Sequence, residues 1–192
     1  PSRTEGAVPR IEDYALVGDC QTCALVSRGG SVDWMCLPDF DSPACFAALL
    51  GKPEHGRWLL APRDGEPAGR ACRDGTLVLE TRFRTPTGEV VVIDCMPLRT
   101  RHADMVRIAA CTAGRVKMRM ELAPRFDYGS IRPWVRKNGR GLVAVAGPDA
   151  VILDTPAELR YEEGGVVAEF ELAAGQRLPF VLSWFPSHKK PP

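Results

Sequence analysis

The residues best suited to chemistry lie between Ile11 and Gly51, where carboxylates alternate with aromatic rings. The carboxylates are Glu12, Asp13, Asp19, Asp33, Asp39 and Asp41, and the rings are Trp34, Phe40 and Phe46. Cleavage of a glycosidic bond uses two carboxyl groups that flank the bond, and aromatic rings stack on sugar faces. Aspartates in turn-rich sequence also accept hydrogen bonds from nearby backbone N–H groups. The segment therefore indicates either acid–base chemistry on sugars or structural turns, and turns are favoured for each Asp taken singly.

A second candidate is the run Arg125-Phe126-Asp127-Tyr128-Gly129-Ser130-Ile131-Arg132-Pro133-Trp134. Loops at strand ends carry function more often than the strands themselves. Clustered aromatic and arginine side chains are typical of protein–protein contacts. Three interpretations of this run are open: a buried turn, a contact between domains, or direct contact with a ligand.

The cysteines and histidines give no pattern of a metal or redox site. Seven cysteines, an odd number, lie mostly in apolar runs, which predicts free, buried thiols in a reducing compartment and hence a cytoplasmic protein. Cys20 and Cys23 form a CxxC motif, but no second pair follows at zinc-site spacing. The apolar run after Cys23 predicts a strand rather than the helix of a redox motif. The three histidines are isolated from one another, and we expect no metal and no cofactor.

The composition excludes several classes of protein. The 192 residues are 45% hydrophobic and 26% charged, with a formal net charge of +1. Such a chain is globular and lacks the basic stripe that nucleic acid or an anionic membrane would require. No run approaches the roughly 18 apolar residues of a membrane-spanning helix. Residues 1–10 form a polar arm without the apolar core of a secretory signal. We therefore expect no nucleic-acid partner and no membrane partner.

Alternation with a period of two dominates the rest of the chain. Residues 116–122 alternate apolar and charged side chains, as in a strand with one buried face. Turn pairs such as Gly29-Gly30 and Asn138-Gly139 separate the segments. The helices that a parallel sheet needs between its strands are missing from the pattern, so the sequence predicts an all-β, antiparallel sandwich of about ten to twelve strands. The predicted strands are 14–17, 24–27, 31–36, 77–84, 90–96, 105–111, 116–122, 142–146, 151–154, 158–161, 166–172 and 178–184.

One short helix is predicted near residues 43–50. Ser42 is placed as its N-cap, Pro43 as its first residue and Gly51 as its stop. A helix of about two turns is not stable alone, so it must pack on the sheets. The sequence thus predicts an N-terminal arm over residues 1–10, a sandwich domain over residues 11–186, and the start of a linker over residues 187–192.

Six segments, taken in order, carry a resemblance to a known family. They are residues 11–20, 30–38, 40–51, 55–58, 76–81 and 125–129. These segments resemble the N-terminal domain of bacterial trehalase-like and glucoamylase-like enzymes of glycoside hydrolase family 15. The resemblance implies a β-super-sandwich that precedes an (α/α)₆ barrel in a longer polypeptide. In that family, two glutamates of the barrel hydrolyse α-glucosidic bonds with inversion.

The resemblance implies that this chain is a non-catalytic accessory domain and holds no catalytic residue. Its partner would be the C-terminal (α/α)₆ catalytic domain of the same polypeptide, and an α-glucoside, whether trehalose or a maltooligosaccharide, would be reached only through that domain. Gln21 and Asp39 stand where relatives commonly carry a basic residue, so the charge pattern of these two loops differs from that of relatives. The candidate residues at the domain contact or substrate entrance are Trp34, Asp39, Phe40, Asp41, Arg125, Phe126, Asp127, Tyr128 and Trp134.

Two other functions remain open from the residues. The first alternative is a carbohydrate-binding module for α-glucans or trehalose, because four tryptophans can supply stacking rings. These are Trp34, Trp58, Trp134 and Trp184. The second is an independent acid–base enzyme built on the aspartate cluster.

Overall fold

Alternating apolar and polar residues become paired strands throughout the part of the chain that the structure describes. The computed structural model describes residues 10–139, 141–162 and 165–192. Fifteen strands lie in these ranges, and every pairing between them is antiparallel. The all-β class and the antiparallel sandwich expected from the sequence are therefore confirmed.

In chain order the strands are β1 (Tyr14–Gly18), β2 (Cys23–Ser27), β3 (Ser31–Cys36), β4 (Ala44–Phe46), β5 (Arg57–Pro62), β6 (Glu66–Cys72), β7 (Leu79–Thr85), β8 (Gly88–Cys95), β9 (Asp104–Ala123), β10 (Trp134–Asn138), β11 (Gly141–Ala146), β12 (Asp149–Asp154), β13 (Arg160–Glu162), β14 (Gly165–Ala173) and β15 (Arg177–Pro186). Three short 3₁₀ turns accompany them, at Ile11–Asp13, Ala48–Leu50 and Pro53–His55.

Strand β9 belongs to both sheets of the sandwich. Its first half pairs with β8 and β15, and its second half pairs with β5 and β14. The first sheet has the order β1-β2-β3-β5-β9-β14-β13, with β4 added beside the end of β3, and the second has the order β6-β7-β8-β9-β15-β12-β11-β10. The strand changes sheets near Gly114, which has a φ of +66°. A Cβ there would lie 2.0 Å from the carbonyl oxygen of Thr87, so this crossing requires glycine.

Side chains from the two sheets meet in one large apolar core. Trp58 and Met118 from the first sheet and Leu142 and Phe180 from the second are fully buried in it. Taking one such side chain out of water contributes about 1.5–3 kcal/mol. The sheets therefore form a rigid support for the loops that connect their strands.

The helix predicted near residues 43–50 is wrong as an α-helix. Ala44–Phe46 is strand β4, paired with the end of β3, and only Ala48–Leu50 is helical, as a single 3₁₀ turn. The Ser42 hydroxyl accepts a hydrogen bond from the backbone N–H of Asp39, on its N-terminal side, instead of capping a helix. All three side chains of β4 are buried, so pairing and burial outweigh the local helix signal.

Several further elements differ from the prediction. The two strands expected at residues 105–111 and 116–122 form the single strand β9, and β4, β5, β6 and β10 were not predicted at all. Residues 1–9 of the predicted arm lie outside the described residues. So does Gly164, the first residue of a Gly164-Gly165 pair whose sequence predicts a tight turn. Within the described ranges, no helix has the length and apolar character needed to cross a membrane.

Candidate functional site

Three connections meet around the short strand β4, and we call them together the loop face: residues 37–43, 47–56 and 124–133. The backbone N–H of Arg125 donates to the carbonyl oxygen of Cys45 at 2.9 Å, and that of Tyr128 donates to Ala44 at 3.1 Å. The N–H of Ala47 donates to the carbonyl oxygen of Gly56 at 3.1 Å. The two segments singled out in the sequence are therefore neighbours in space, although they are distant in the chain.

An aromatic pair joins these two segments. The ring centroids of Trp34 and Tyr128 lie 6.0 Å apart, with an angle of 39° between the ring planes. Trp34 is partly buried and also packs on a small cluster formed by Cys36, Ala44 and Ala47. Aromatic pairs at this separation contribute about 0.5–1.5 kcal/mol beyond their burial. The pair therefore fixes the 124–133 connection against the end of β3.

The connection at Tyr128 is held in an unusual backbone conformation. Asp127, Tyr128 and Gly129 have φ values of +50°, +55° and +97°, three left-handed residues in a row. The Ser130 hydroxyl donates to the carbonyl oxygen and the carboxylate of Asp127, at 2.8 and 2.9 Å. Non-glycine residues in this region cost about 1–3 kcal/mol each and concentrate at ligand clamps and switch regions. The surrounding hydrogen bonds hold this connection in one shape.

The connection 37–43 is held by an arginine that the sequence did not point to. Arg99 donates from Nε to Asp19 at 2.9 Å and from Nη1 to Asp39 at 2.8 Å. The negative charge of Asp39 is therefore paired with Arg99 within the domain. Phe40 and Asp41 project into solvent beside it.

The loop face exposes several large apolar side chains. Phe40 is 58% exposed, Leu50 62%, Tyr128 48% and Ile131 45%. Leu50 was not predicted as a site residue, because the helix expected there would have buried most of its apolar residues. His55 packs between its own 3₁₀ turn and the 124–133 connection: a Cβ on Gly129 would lie 3.0 Å from that of His55.

Three of the predicted site residues do not contribute exposed side chains to the loop face. Arg125 and Phe126 are buried, and Trp134 lies on another strand. Arg125 and Phe126 are 6% exposed, and the backbone of Phe126 exchanges two hydrogen bonds with Ile131. Burial, with the charge of Arg132 as a smaller cause, lowers the pKa of Arg125. Trp134 begins the edge strand β10 of the second sheet, where the guanidinium of Arg136 lies 5.9 Å from its ring centroid. The described ring contacts therefore place Trp134 with Arg136 rather than with Trp34 and Tyr128.

The aspartates of the first segment take part in structural hydrogen bonds. Asp19 accepts from the backbone N–H groups of Gln21 and Thr22 at 2.9 and 2.8 Å. Asp33 accepts from the Tyr14 and Ser31 hydroxyls at 2.8 and 2.5 Å. Burial, together with the bond to Asp33, raises the pKa of Tyr14. These contacts match the turn interpretation rather than a pair of catalytic acids.

The four tryptophans do not form one stacking platform. Trp58 is fully buried beneath the guanidinium of Arg107, 5.2 Å from its ring centroid. Trp184 is partly buried against the core and donates from Nε1 to Asp149 at 2.9 Å. Trp34 and Trp134 retain exposed surface, on different elements of the fold.

The seven cysteines are free thiols that differ in exposure, and Cys23 and Cys95 are partly buried. Cys36, Cys45 and Cys111 are buried as expected, whereas Cys20 and Cys72 are exposed. Burial raises the pKa of Cys23, Cys36 and Cys45, so these thiols stay protonated at neutral pH and are poor nucleophiles. Among the described residues, no group of three or more His, Cys, Asp or Glu side chains is placed to hold a metal ion.

The end of β15 leads back toward the loop face. The backbone N–H of Ser187 donates to Pro148 at 2.8 Å, and its hydroxyl donates to Gly147 at 2.7 Å. The backbone N–H of Trp184, near the end of β15, donates to the carbonyl oxygen of Ala103 at 3.0 Å, in the connection between β8 and β9 that also carries Arg99. Arg99 in turn donates to Asp39, so this connection links the end of β15 to the loop face.

These features define a sandwich domain with an aromatic loop face and with the carboxylates of Asp19 and Asp33 engaged in structural hydrogen bonds. The chain matches the family described as "Trehalase-like, N-terminal" over residues 4–169. It therefore belongs to the trehalase-like N-terminal domain family.

Curated relatives agree with this assignment. A trehalase of Mycolicibacterium smegmatis is 30% identical over 204 residues, which cover 92% of this chain and 30% of that protein. A trehalase of Mycobacterium tuberculosis is 33% identical over 140 residues, covering 62% of this chain and 20% of that protein. A trehalase of Thermoplasma volcanium is 25% identical over 160 residues, which cover 79% of this chain and 26% of that protein. The chain spans less than a third of the length of these relatives.

Proposed function

We propose that this chain is the non-catalytic domain of an α-glycoside hydrolase of the trehalase or glucoamylase type, and that its loop face braces a helical (α/α)₆ catalytic domain of the same polypeptide. The observation that carries the proposal is the exposed apolar surface of Phe40, Leu50, Tyr128 and Ile131 on rigidly held loops. Large apolar side chains gathered on one surface mark contacts with another protein surface.

The path of the chain after β15 supports this arrangement. Ser187 is tied to the turn at Gly147 and Pro148, and Trp184 of β15 donates to Ala103, in the same connection from which Arg99 reaches Asp39. In a longer polypeptide, a domain that follows β15 would start from beside the loop face. A short linker would then hold that domain at high effective concentration against these side chains.

The proposed division of work follows from the chemistry of inversion. Inverting hydrolysis requires two carboxyl groups about 6.5–9.5 Å apart with a water molecule between them. In this chain Asp19 and Asp33 are tied to backbone groups and hydroxyls. The resemblance to glycoside hydrolase family 15 implies that the two acids are glutamates of the helical domain. The loop face would wall one side of that site, exclude bulk water and limit the length of the α-glucoside that enters.

The test uses the polypeptide encoded by the full reading frame that contains these residues. We expect Phe40→Ala and Leu50→Ala to lower its melting temperature and to change KM or kcat for trehalose or maltooligosaccharides. Ile11→Ala is the matched control, because Ile11 is 64% exposed but lies at the opposite end of the β1–β2 hairpin from the turn that contacts Arg99. Unchanged kinetics and unchanged melting in both loop-face variants, or a reading frame without a helical domain, would refute the proposal.

The alternative function, a carbohydrate-binding module, is favoured by one observation, the partly exposed Trp34–Tyr128 ring pair. Titration of the isolated chain with trehalose or maltose, followed by tryptophan fluorescence, separates the two functions. Saturable binding that is lost in Trp34→Ala would support the module, and a flat titration supports the accessory domain.

A further inference from the structure

Arg99 makes three directed contacts from one nearly buried guanidinium. It lies between β8 and β9, in a connection of the second sheet, and its side chain is 13% exposed. Besides its bonds to Asp19 and Asp39, it donates from Nη2 to the carbonyl oxygen of Pro38 at 2.5 Å. It therefore links the turn after β1, the connection after β3 and the second sheet at a single point.

Phe40 lies in the middle of the 37–43 connection, which Arg99 holds through Pro38 and Asp39. The backbone N–H of Phe40 donates to the carbonyl oxygen of Gln21 at 3.0 Å, while the ring is 58% exposed. The Ser42 backbone N–H donates to the Asp39 carbonyl oxygen at 3.1 Å. The main chain of this connection is thus fixed although its central side chain contacts solvent, which is how a preformed binding residue is built.

The acceptors of the Arg99 hydrogen bonds are held in place by the rest of the domain. The Asp19 side chain is fully buried, and two backbone N–H groups already orient its carboxylate. The Thr22 hydroxyl donates to the Cys36 carbonyl oxygen at 2.6 Å and holds the same turn against β3. The three acceptors bond to three different nitrogens of the guanidinium. A planar, forked guanidinium therefore satisfies them together, whereas the single ammonium of a lysine does not.

We propose that Arg99 is a positioning residue: it fixes the 37–43 connection so that Phe40 is presented in its binding position before any partner arrives. What Phe40 contacts rests on the proposed function. The positioning itself is a property of this chain alone. Its loss would loosen the loop locally and leave the sandwich intact.

The first experiment measures amide hydrogen exchange at Phe40 and Ser42 in the 192-residue chain. We expect exchange about tenfold faster or more in Arg99→Ala, because charge-assisted hydrogen bonds that close the loop are lost. Arg99→Lys should resemble Arg99→Ala, and Asp39→Asn, a milder change, should give a smaller increase. Arg70→Ala is the control, since Arg70 also donates to two backbone carbonyl oxygens, those of Asp13 and Val26, but away from this loop. Exchange at Phe40 that is unchanged in Arg99→Ala, or fully restored in Arg99→Lys, would overturn the proposal.

The second experiment separates this inference from the proposed function. In the polypeptide of the full reading frame, Arg99→Ala should reproduce the loss caused by Phe40→Ala, and the double variant should lose little more than either one. Fully additive losses would overturn the positioning role. Faster exchange in Arg99→Ala together with no effect of Phe40→Ala would refute the docking of Phe40 and would support the positioning of the loop.

Discussion

The guanidinium of Arg107 on β9 donates from Nε to the carboxylate of Asp94 on β8 at 2.7 Å, and neither side chain is reached by solvent. Nη1 donates to the carbonyl oxygen of Trp58 at 2.5 Å, and Nη2 donates to that of Gly30 at 2.8 Å. One arginine of β9 therefore joins β8, the strand β5 and the turn before β3. The buried positive charge of Arg107 is therefore compensated by the Asp94 carboxylate and by two backbone carbonyl oxygens instead of by water.

Loss of one partner of this buried pair should be severe. Arg107→Met keeps much of the volume but removes the donors that Arg107 supplies to the Asp94 carboxylate and to the carbonyl oxygens of Trp58 and Gly30, of which the Gly30 oxygen still accepts from the backbone N–H of Leu60. We expect a loss of about 3–5 kcal/mol in the free energy of unfolding, because the Asp94 charge stays buried without its partner. Urea titration of the chain measures it. The double variant Arg107→Met with Asp94→Leu should recover part of the loss, and a single variant within about 0.5 kcal/mol of the parent would contradict this account.

Gly129 should not tolerate a side chain. It combines a φ of +97° with a Cβ position 3.0 Å from the Cβ of His55, so Gly129→Ala should destabilise the chain by about 1–2 kcal/mol or displace the 124–133 connection. Two controls separate the causes in thermal melting. Gly75 has a φ of +68° but open space around it, and Gly69 has open space without a left-handed φ. We expect a smaller loss at Gly75 and little or none at Gly69.

Acid should destabilise the chain through Asp19. Its burial raises the pKa, but backbone N–H groups of Thr22 and Gln21, together with Arg99, outweigh burial and hold the pKa below the ordinary value of 3.8. A carboxyl group with a lowered folded-state pKa stabilises above its unfolded pKa, and this contribution is lost as the pH falls through the folded value. Urea midpoints between pH 7 and pH 2.5 should therefore fall most steeply below about pH 4. Asp19→Asn should flatten that decline, and a profile identical to that of the parent would count against the assignment.

The thiols should divide into two classes during alkylation of the native chain. Iodoacetamide should label the exposed Cys20 and Cys72 within minutes and leave the buried Cys36 and Cys45 unmodified, because burial both shields these thiols and raises their pKa. Mass spectrometry of peptides before and after unfolding in urea measures the difference. Native labelling of Cys45 at the rate of Cys20 would show that β4 opens readily.

The alternation in the sequence was sufficient to predict the sandwich but not every one of its strands. Strands with one buried face, such as the second half of β9, repeat the period of two. The edge strand β6 is exposed along most of its length and β4 is buried throughout, so neither shows the alternation on which the prediction relied. Pairing with β7 and β3 makes them strands, and pairing partners are not visible in local sequence.

The candidate site likewise contains residues that the sequence predicted and one, Arg99, that it did not. The aromatic and acidic residues of 34–41 and 125–134 were found from composition, and the contact between Trp34 and Tyr128 brings two of them together. Arg99 was missed because it lies in an unremarkable connection, and its role depends on three acceptors from distant parts of the chain. A residue that acts by linking elements leaves no signal at its own position.

A shared strand has a mechanical consequence for the sandwich. β9 supplies hydrogen bonds to both sheets, one on either side of Gly114. Neither sheet can therefore unfold without removing hydrogen-bond partners from the other. A backbone cut at that glycine should yield two fragments that stay unfolded when separate and regain structure only when mixed. Unfolding of either sheet should therefore unfold the other as well.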